Sequence, residues 1–267
     1  MRPLSIVIST LGLVAFLAPA PASALQPGTG RPTLHVSDAY RSCFFDLHPE
    51  LTKDEFKEFA AELGSVLRFR QLGDTTTLGK GNVDISVQFT STPVGDAKGA
   101  WNNTMSHPAA DHWLGESISL PRIVARFGVS DRVDVGAWGG LNPYSNYGAA
   151  GVDTTIALLR QGPARPVSVS IRPSISALIG PSEVVVANAG FDVSVSRTLG
   201  PLSPYVGVAA STSIAAERSK DVDLEPATAQ DSLAYAGVSY RWRALILSAE
   251  VEKGALVSYG FRIGTRF

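Results

Sequence analysis

The sequence predicts an all-β protein: an antiparallel transmembrane β-barrel of about ten strands with a short helix before it. Three observations predict this fold class. The chain begins with a short apolar segment, it alternates apolar and polar residues from about Asn82 onward, and it ends inside such an alternating segment, on Phe267. Segments of roughly ten alternating residues, divided by turn residues, are typical of membrane-spanning strands.

The first segment has the order of parts found in a secretory signal peptide. One early Arg precedes an apolar run from Leu4 to Ala18, and Ala22, Ser23 and Ala24 form a small-residue cleavage site. The apolar run is shorter than the roughly 20 residues that a spanning helix needs. We therefore expect residues 1–24 to be a signal peptide, cleaved after Ala24, and the mature chain to be exported.

Residues 25–81 are predicted to be an N-terminal periplasmic segment with one amphipathic helix at about 52–63. Thr52 stands three residues before Glu55, which is the spacing of a capping box. Apolar residues follow at helical spacing: Phe56, Phe59, Ala60 and Leu63. The sequence leaves three positions open for this helix: inside the barrel, against its periplasmic mouth, or on a membrane surface.

The barrel itself is predicted to span residues 82–267. In its first strand Val83, Ile85 and Val87 alternate with polar residues. The predicted strands are 82–92, 117–128, 132–141, 147–160, 166–178, 184–197, 203–215, 232–242, 244–252 and 255–267. This even number places both barrel termini at the periplasm. The short turns are then on the periplasmic side of the membrane, and the longer links are on its outer side. A twelve-strand alternative pairs "SVLRFRQL" with 82–92 and adds a strand at 32–40.

A soluble exported β-sandwich, acting as a binding module, would also alternate. The polar face here is dominated by Ser, Gly and Ala, which suits the narrow interior of a small barrel. Aromatic residues near strand ends suggest the girdles of a membrane barrel: Tyr240, Trp242, Tyr259 and Phe267, with Tyr144 and Tyr147 in or beside a loop.

The final segment, "VSYGFRIGTRF", carries Tyr259, Phe261, Ile263 and Phe267 at alternate positions. It resembles the C-terminal strand of Gram-negative outer-membrane β-barrel proteins. This resemblance implies location in the bacterial outer membrane, with membrane lipid and the barrel-assembly machinery as partners. It also implies that this strand closes the barrel against the first strand and serves as the assembly signal.

The inward positions of the predicted strands carry charges of both signs: Asp84, Asp134, Asp153, Arg172, Asp192, Arg241, Glu250, Glu252, Arg262 and Arg266. Unpaired buried charge is costly, so we expect these groups to pair with one another and fill the lumen. The alternative is a narrow polar pore whose selectivity they set.

The sequence therefore predicts a structural, surface-interaction or small-solute passage role. A net charge of −1 argues against a nucleic-acid partner. An outer-membrane hydrolase is the alternative, because Ser106, His107, Asp111 and His112 share one predicted external loop. No Gly-x-Ser-x-Gly elbow or zinc-helix spacing accompanies them, so we assign no catalytic, metal or cofactor residue. Cys43 has no second cysteine to pair with.

Overall fold

The computed structural model describes residues 45–94, 99–105, 117–142 and 147–267. The predicted signal peptide, the possible strand at 32–40, Cys43 and Tyr144 lie outside these ranges, as do Ser106, His107, Asp111 and His112. Within these ranges no helix is both long and apolar enough to cross a membrane.

The described strands form one antiparallel sheet that closes into a ring of ten strands. The helices are α1 (Lys53–Leu67) and α2 (Gly99–Asn102). The strands are β1 (Val83–Pro93), β2 (Ser117–Ser119), β3 (Arg122–Gly128), β4 (Val133–Leu141), β5 (Gly148–Leu159), β6 (Ser168–Ile179), β7 (Val184–Ser196), β8 (Leu202–Glu217), β9 (Ala227–Trp242), β10 (Leu245–Lys253) and β11 (Val257–Arg266). The short β2 lies outside the ring and extends only the end of β1.

The ring closes where β1 pairs with β11, from Asp84↔Arg266 to Ser91↔Tyr259. This pairing confirms the predicted ten-strand barrel, and it leaves no gap for the additional strands of the twelve-strand alternative. The β-sandwich alternative is also wrong, because a sandwich needs two packed sheets and this chain forms one closed sheet.

Two predicted strands differ from the observed ones by more than two residues. The predicted strand 117–128 is divided at Leu120 and Pro121, because proline has no N–H to donate to a sheet. Strand β9 begins at Ala227, five residues before the predicted start at 232, because its polar first residues still pair with β8. Strands β8 and β9 are the longest in the ring.

The two faces of the sheet have opposite chemistry. On the outer face of β11, Phe261 and Ile263 are 61% and 55% exposed, whereas Arg262 between them is 4% exposed. The same alternation runs through β1 and β3. A continuous apolar outer surface on a closed antiparallel ring is what a lipid bilayer requires, because every backbone polar group is then paired.

The two ends of the barrel differ in their connections. At one end, called the turn mouth, strands are joined by residues 129–132, 160–167, 197–201 and 243–244, and Phe267 lies at the same end. At the other end, called the loop mouth, they are joined by residues 94–116, 142–147, 180–183, 218–226 and 254–256. The two longest connections, residues 94–116 and 218–226, are therefore both at the loop mouth.

Helix α1 lies against the inner wall of the ring, where it contacts β6, β7, β8 and β9. This contact selects the first of the three positions that the sequence allowed. The predicted capping box is confirmed, because the Thr52 hydroxyl accepts from the Glu55 backbone and the Glu55 carboxylate accepts from the Thr52 backbone. The helix continues to Leu67 instead of ending at 63, so "SVLRFRQL" is a last helical turn followed by irregular backbone and not a strand.

From α1 the chain runs down the lumen to the turn mouth, where β1 begins. Every residue from Glu62 to Thr75 is buried. We call residues 53–78 the plug. The proposed boundary at residue 82 between an N-terminal segment and the barrel stays a prediction, but the described part of that segment fills the barrel interior.

Candidate functional site

The half of the lumen nearest the loop mouth is packed with aromatic rings. Phe59 of α1 meets Phe45 and Trp101 edge to face, with ring centroids 5.7 and 5.1 Å apart. Phe45 also meets Tyr147 at 5.1 Å. Tyr147 is 2% exposed, so the prediction that it belongs to a membrane girdle is wrong. The Trp101 indole N–H donates to the Glu62 carboxylate at 2.6 Å, so polar groups in this half are paired among the rings.

The chain before α1 is tied to the rim of the loop mouth. The Leu47 N–H donates to the Glu183 carboxylate at 3.0 Å, and Lys53 forms an exposed ion pair with Glu225 at 2.5 Å. Burial raises the pKa of Glu183 above its usual range, and the backbone hydrogen bond opposes that shift. The plug therefore enters the barrel at the loop mouth.

The C-terminal end of α1 is capped by the barrel wall. The last turn of α1 contains no basic residue, although four carbonyls at a helix end lack partners within the helix. Arg122 of β3 donates to the carbonyls of Val66 and Arg68, and the Ser176 hydroxyl donates to the Leu67 carbonyl at 2.9 Å. A cation at this end also interacts favourably with the helix dipole.

The same end of α1 approaches the wall very closely at Gly64. A Cβ added there would lie 1.8 Å from the Ser213 hydroxyl oxygen of β8. Asn188 donates to the Gly64 carbonyl at 3.4 Å and to Ser213 at 2.9 Å. Only glycine fits between the helix and these two side chains.

Below the helix, one carboxylate of the wall holds two arginines of the plug. One Glu252 oxygen forms an ion pair with the Arg68 guanidinium at 2.6 Å, and the other accepts from Arg70 at 2.6 Å. Arg70 also donates to the Ser65 carbonyl at 3.0 Å and to the Ser258 hydroxyl at 3.1 Å. All three charged side chains are 5% exposed or less, so water screens their interaction very little.

Beyond Arg70, side-chain and backbone contacts hold the plug against the wall as far as the turn mouth. Leu72 has a positive φ of 48° and its side chain lies against Gly260, where an added Cβ would meet it at 2.4 Å. The Thr75 and Ser196 hydroxyls are 2.7 Å apart, and the Leu78 N–H donates to the Asp134 carboxylate at 3.0 Å. A cavity of about 400 Å³ opens below Thr75, at the turn mouth, and ends on the plug.

Half of the ten predicted inward charges are brought together with one another on the wall. Arg172 donates twice to Asp192, at 3.0 and 2.8 Å, and the Tyr235 hydroxyl adds a third hydrogen bond at 2.8 Å. Arg262 donates to Asp84, whose other oxygen lies 3.5 Å from Arg266.

The remaining predicted charges lie in three different settings. Asp134 and Asp153 each lie 3.7 Å from the Arg126 guanidinium. Glu250 is buried beside Glu252 on β10, with an exposed fraction of 7%. Arg241 is at the rim of the turn mouth, where its side chain is 46% exposed and lies 4.0 Å from the plug residue Asp74.

Sequence reasoning missed four buried arginines of this network. Arg122 and Arg126 were detectable, because they alternate with outward Ile123 and Phe127 as in every other strand. Arg68 and Arg70 were not, because nothing in the sequence shows that residues after α1 run through the lumen. The ion pairs between plug and wall follow from that path.

The aromatic and apolar residues of the predicted closing strand lie on the outer face of the ring. Tyr259 and Phe267 are 52% and 69% exposed on the outer face, in line with Phe261 and Ile263. In the described ranges, no group of three or more His, Cys, Asp or Glu side chains is arranged to bind a metal ion.

A closed ring with an apolar exterior, a polar wall and a plugged lumen defines an integral outer-membrane β-barrel protein. No protein-family model matches the chain, and no curated protein matches its sequence.

Several solved outer-membrane barrels are similar to it at low identity. The attachment invasion locus protein Ail of Yersinia pestis is 13% identical over 70% of this chain and 99% of its own, with a TM-score of 0.32. The N-terminal β-barrel domain of Pseudomonas aeruginosa OprF is 12% identical over 71% and 99%, with a TM-score of 0.33. An outer membrane channel from Pseudomonas putida F1 is 9% identical over 73% and 98%, with a TM-score of 0.42. These values carry no information about what the chain binds or transports.

Proposed function

We propose that this protein is a closed outer-membrane barrel, sealed by its own plug, with a role in structure and surface interaction. The observation that supports this role is the continuous burial of residues 62–75 along the lumen. A barrel of this strand number is narrow, so one chain segment with its side chains fills the interior. The chain is held from Leu47, which donates to Glu183 at one mouth, to Leu78, which donates to Asp134 at the other.

We place the turn mouth at the periplasm and the loop mouth at the cell surface. Outer-membrane barrels have short periplasmic turns and longer external loops, and the two mouths differ in this way. The exposed side of α1, with Lys53, Asp54 and Lys57, then faces the outside.

Cysteine labelling in intact cells tests this orientation. In a Cys43→Ala background, we expect Lys57→Cys to react with a membrane-impermeant maleimide, whereas Arg160→Cys at the turn mouth reacts only after lysis. The reverse result would invert the orientation while leaving the closed barrel intact.

Conductance tests closure. The full chain in planar bilayers is expected to give no stable current steps. A lock made by Thr75→Cys with Ser196→Cys, whose hydroxyls lie 2.7 Å apart in the native chain, ties the plug to the wall when oxidised. We expect the oxidised and reduced forms to be equally silent, with Thr75→Cys alone as the control.

A gated passage for small solutes is the second candidate, because the wall behind the plug is polar. Gln88, Asp153 and Arg172 are buried on this wall and would line an aqueous path if the plug moved. Current steps in the native chain that oxidation of the lock abolishes, and reduction restores, would replace the closed barrel by this candidate.

We also infer that Tyr259, Phe261, Ile263 and Phe267 form the strand that the barrel-assembly machinery reads. Their exposure on one face leaves them available during insertion. Deleting Phe267 is expected to reduce insertion in cells more than refolding into detergent, measured by heat-modifiable gel migration. Equal losses in both would mean that Phe267 acts through stability alone.

A further inference from the structure

The exposed charges at the turn mouth are almost all positive. Its connections and the turn before β1 carry six exposed cations, which we call the cationic ring: Lys80, Arg132, Arg160, Arg165, Arg197 and Arg243. Among the described residues of these connections, Asp131 is the one exposed acidic side chain, and it lies 3.9 Å from Arg160. The loop mouth instead mixes exposed cations with more numerous carboxylates, so the net charge of −1 hides a strong difference between the two ends.

The cationic ring lies at the edge of the apolar belt. Leu158 and Leu199 are 55% and 51% exposed, and each lies two residues along the chain from an arginine of the ring. Trp242 is 58% exposed, and the Arg243 guanidinium lies 5.5 Å from the centre of its ring. Tryptophan and arginine at the end of an apolar strand mark the depth of the lipid headgroups.

We propose that the cationic ring binds the phosphate headgroups of anionic phospholipids in the leaflet around the turn mouth. Guanidinium groups recognise phosphate through paired hydrogen bonds and full charge. The turns that carry them are short, so their side chains reach the membrane surface and not a polymer layer farther from it. Of these six residues, only Arg160 has an acidic partner in the described chain, and that exposed pair is weak.

Quenching of Trp242 by brominated lipids measures this preference directly. Trp101 and Trp138 are each 4% exposed inside the lumen, and subtracting the signal of Trp242→Phe isolates the lipid-facing residue. We expect brominated phosphatidylglycerol to occupy this site about fivefold more than brominated phosphatidylcholine, the ratio that corresponds to about 1 kcal/mol for a cation near an anionic surface. Raising the salt from about 0.1 to 1 M should lower the ratio, since the screening length falls from about 10 to 3 Å.

The key variant replaces Arg132, Arg160, Arg165 and Arg197 by Gln, and its matched control replaces Lys57, Arg218, Lys220 and Lys253 at the loop mouth. All eight side chains are exposed, so heat-modifiable migration should stay native in both. Because Lys80 and Arg243 remain, we expect the lipid ratio to fall to about half in the first variant and to stay unchanged in the second.

Three results would overturn the proposal: equal quenching by both lipids in the native chain, an unchanged ratio in the turn-mouth variant, or an equal loss in the control. Co-sedimentation with peptidoglycan sacculi tests whether the cationic ring binds peptidoglycan, the other anionic surface, instead of lipid. Sacculus binding that the turn-mouth variant loses, while its lipid ratio is unchanged, would assign the cationic ring to peptidoglycan.

Discussion

The two halves of the lumen are stabilised in different ways. Near the loop mouth, α1 packs its apolar face into a cluster that resembles the core of a soluble protein, with Phe59 and Leu63 fully buried. Beyond the helix, the plug has no regular structure and is held by Glu252, by wall hydroxyls and by backbone hydrogen bonds. The first half depends on apolar area and shape, whereas the second depends on complete pairing of buried charge.

This difference shows how one chain can fill a polar barrel. An apolar helix alone would leave Glu252 of the wall without the cations of the plug that pair with it. The irregular part of the plug supplies arginines, carbonyls and N–H groups where the wall is charged. The largest effects of substitution are therefore expected where a single wall residue serves several plug groups.

The polar half is most vulnerable at Glu252. Glu252→Ala leaves Arg68 and Arg70 buried without a carboxylate, and we expect a loss of about 3–5 kcal/mol in the free energy of unfolding. Urea unfolding in lipid vesicles measures this loss, with Lys253→Ala, exposed on the next residue, as the control. A loss below about 1 kcal/mol, typical of an exposed pair, would mean that water reaches these arginines.

The apolar half is tested at Leu63, which is fully buried on α1. Leu63→Ala should cost about 2–5 kcal/mol, since it removes a core side chain and leaves a cavity. Lys57→Ala, on the exposed side of the same helix, should change the free energy of unfolding by less than about 0.5 kcal/mol. If both variants unfolded at the same urea concentration, α1 would not contribute a packed core.

The outside of the wall sharpens the comparison, because strand β11 carries Arg262 inward and Ile263 into lipid. Ile263→Arg is expected to cost about 2–4 kcal/mol near the middle of the bilayer. Val257→Arg, at the strand end, should cost only about 0–1 kcal/mol. Equal costs at the two depths, measured by refolding into vesicles, would contradict the position of the apolar belt.

The smallest effect concerns the start of α1, at the loop mouth. Thr52→Ala removes the hydroxyl that accepts from the Glu55 backbone and should cost about 0.5–2 kcal/mol. Thr52→Ser keeps that hydroxyl and should restore most of the stability. Amide hydrogen exchange in the first turn provides the local measurement, and protection unchanged in Thr52→Ala would show that the cap does not hold the helix.

The strands were predictable because each one repeats a local pattern. Alternation fixes which side chains face lipid and which face the lumen, so the register that placed Asp84, Asp192 and Arg262 inward could be extended from strand to strand. The boundaries that failed, at Pro121 and Ala227, depend on pairing with a neighbouring strand. Helix α1 was predictable for a similar reason, because its cap and its apolar stripe lie within one short segment.

The path of the plug could not be read in the same way. Arg70 and Glu252 are separated by 182 positions in the chain, and only closure of the ring around residues 53–78 brings them together. Gly260 illustrates the limit: alternation places it on the polar face, but only the structure shows that Leu72 occupies the space beside it.

The sequence by itself determined the strands, the facing of their side chains and the helix, because these follow from periodicity and capping over a few residues. Only the tertiary structure decided that the helix enters the barrel, which charges pair and that the lumen is filled. Those outcomes depend on contacts between residues far apart in the chain, and these contacts form only once the ring has closed.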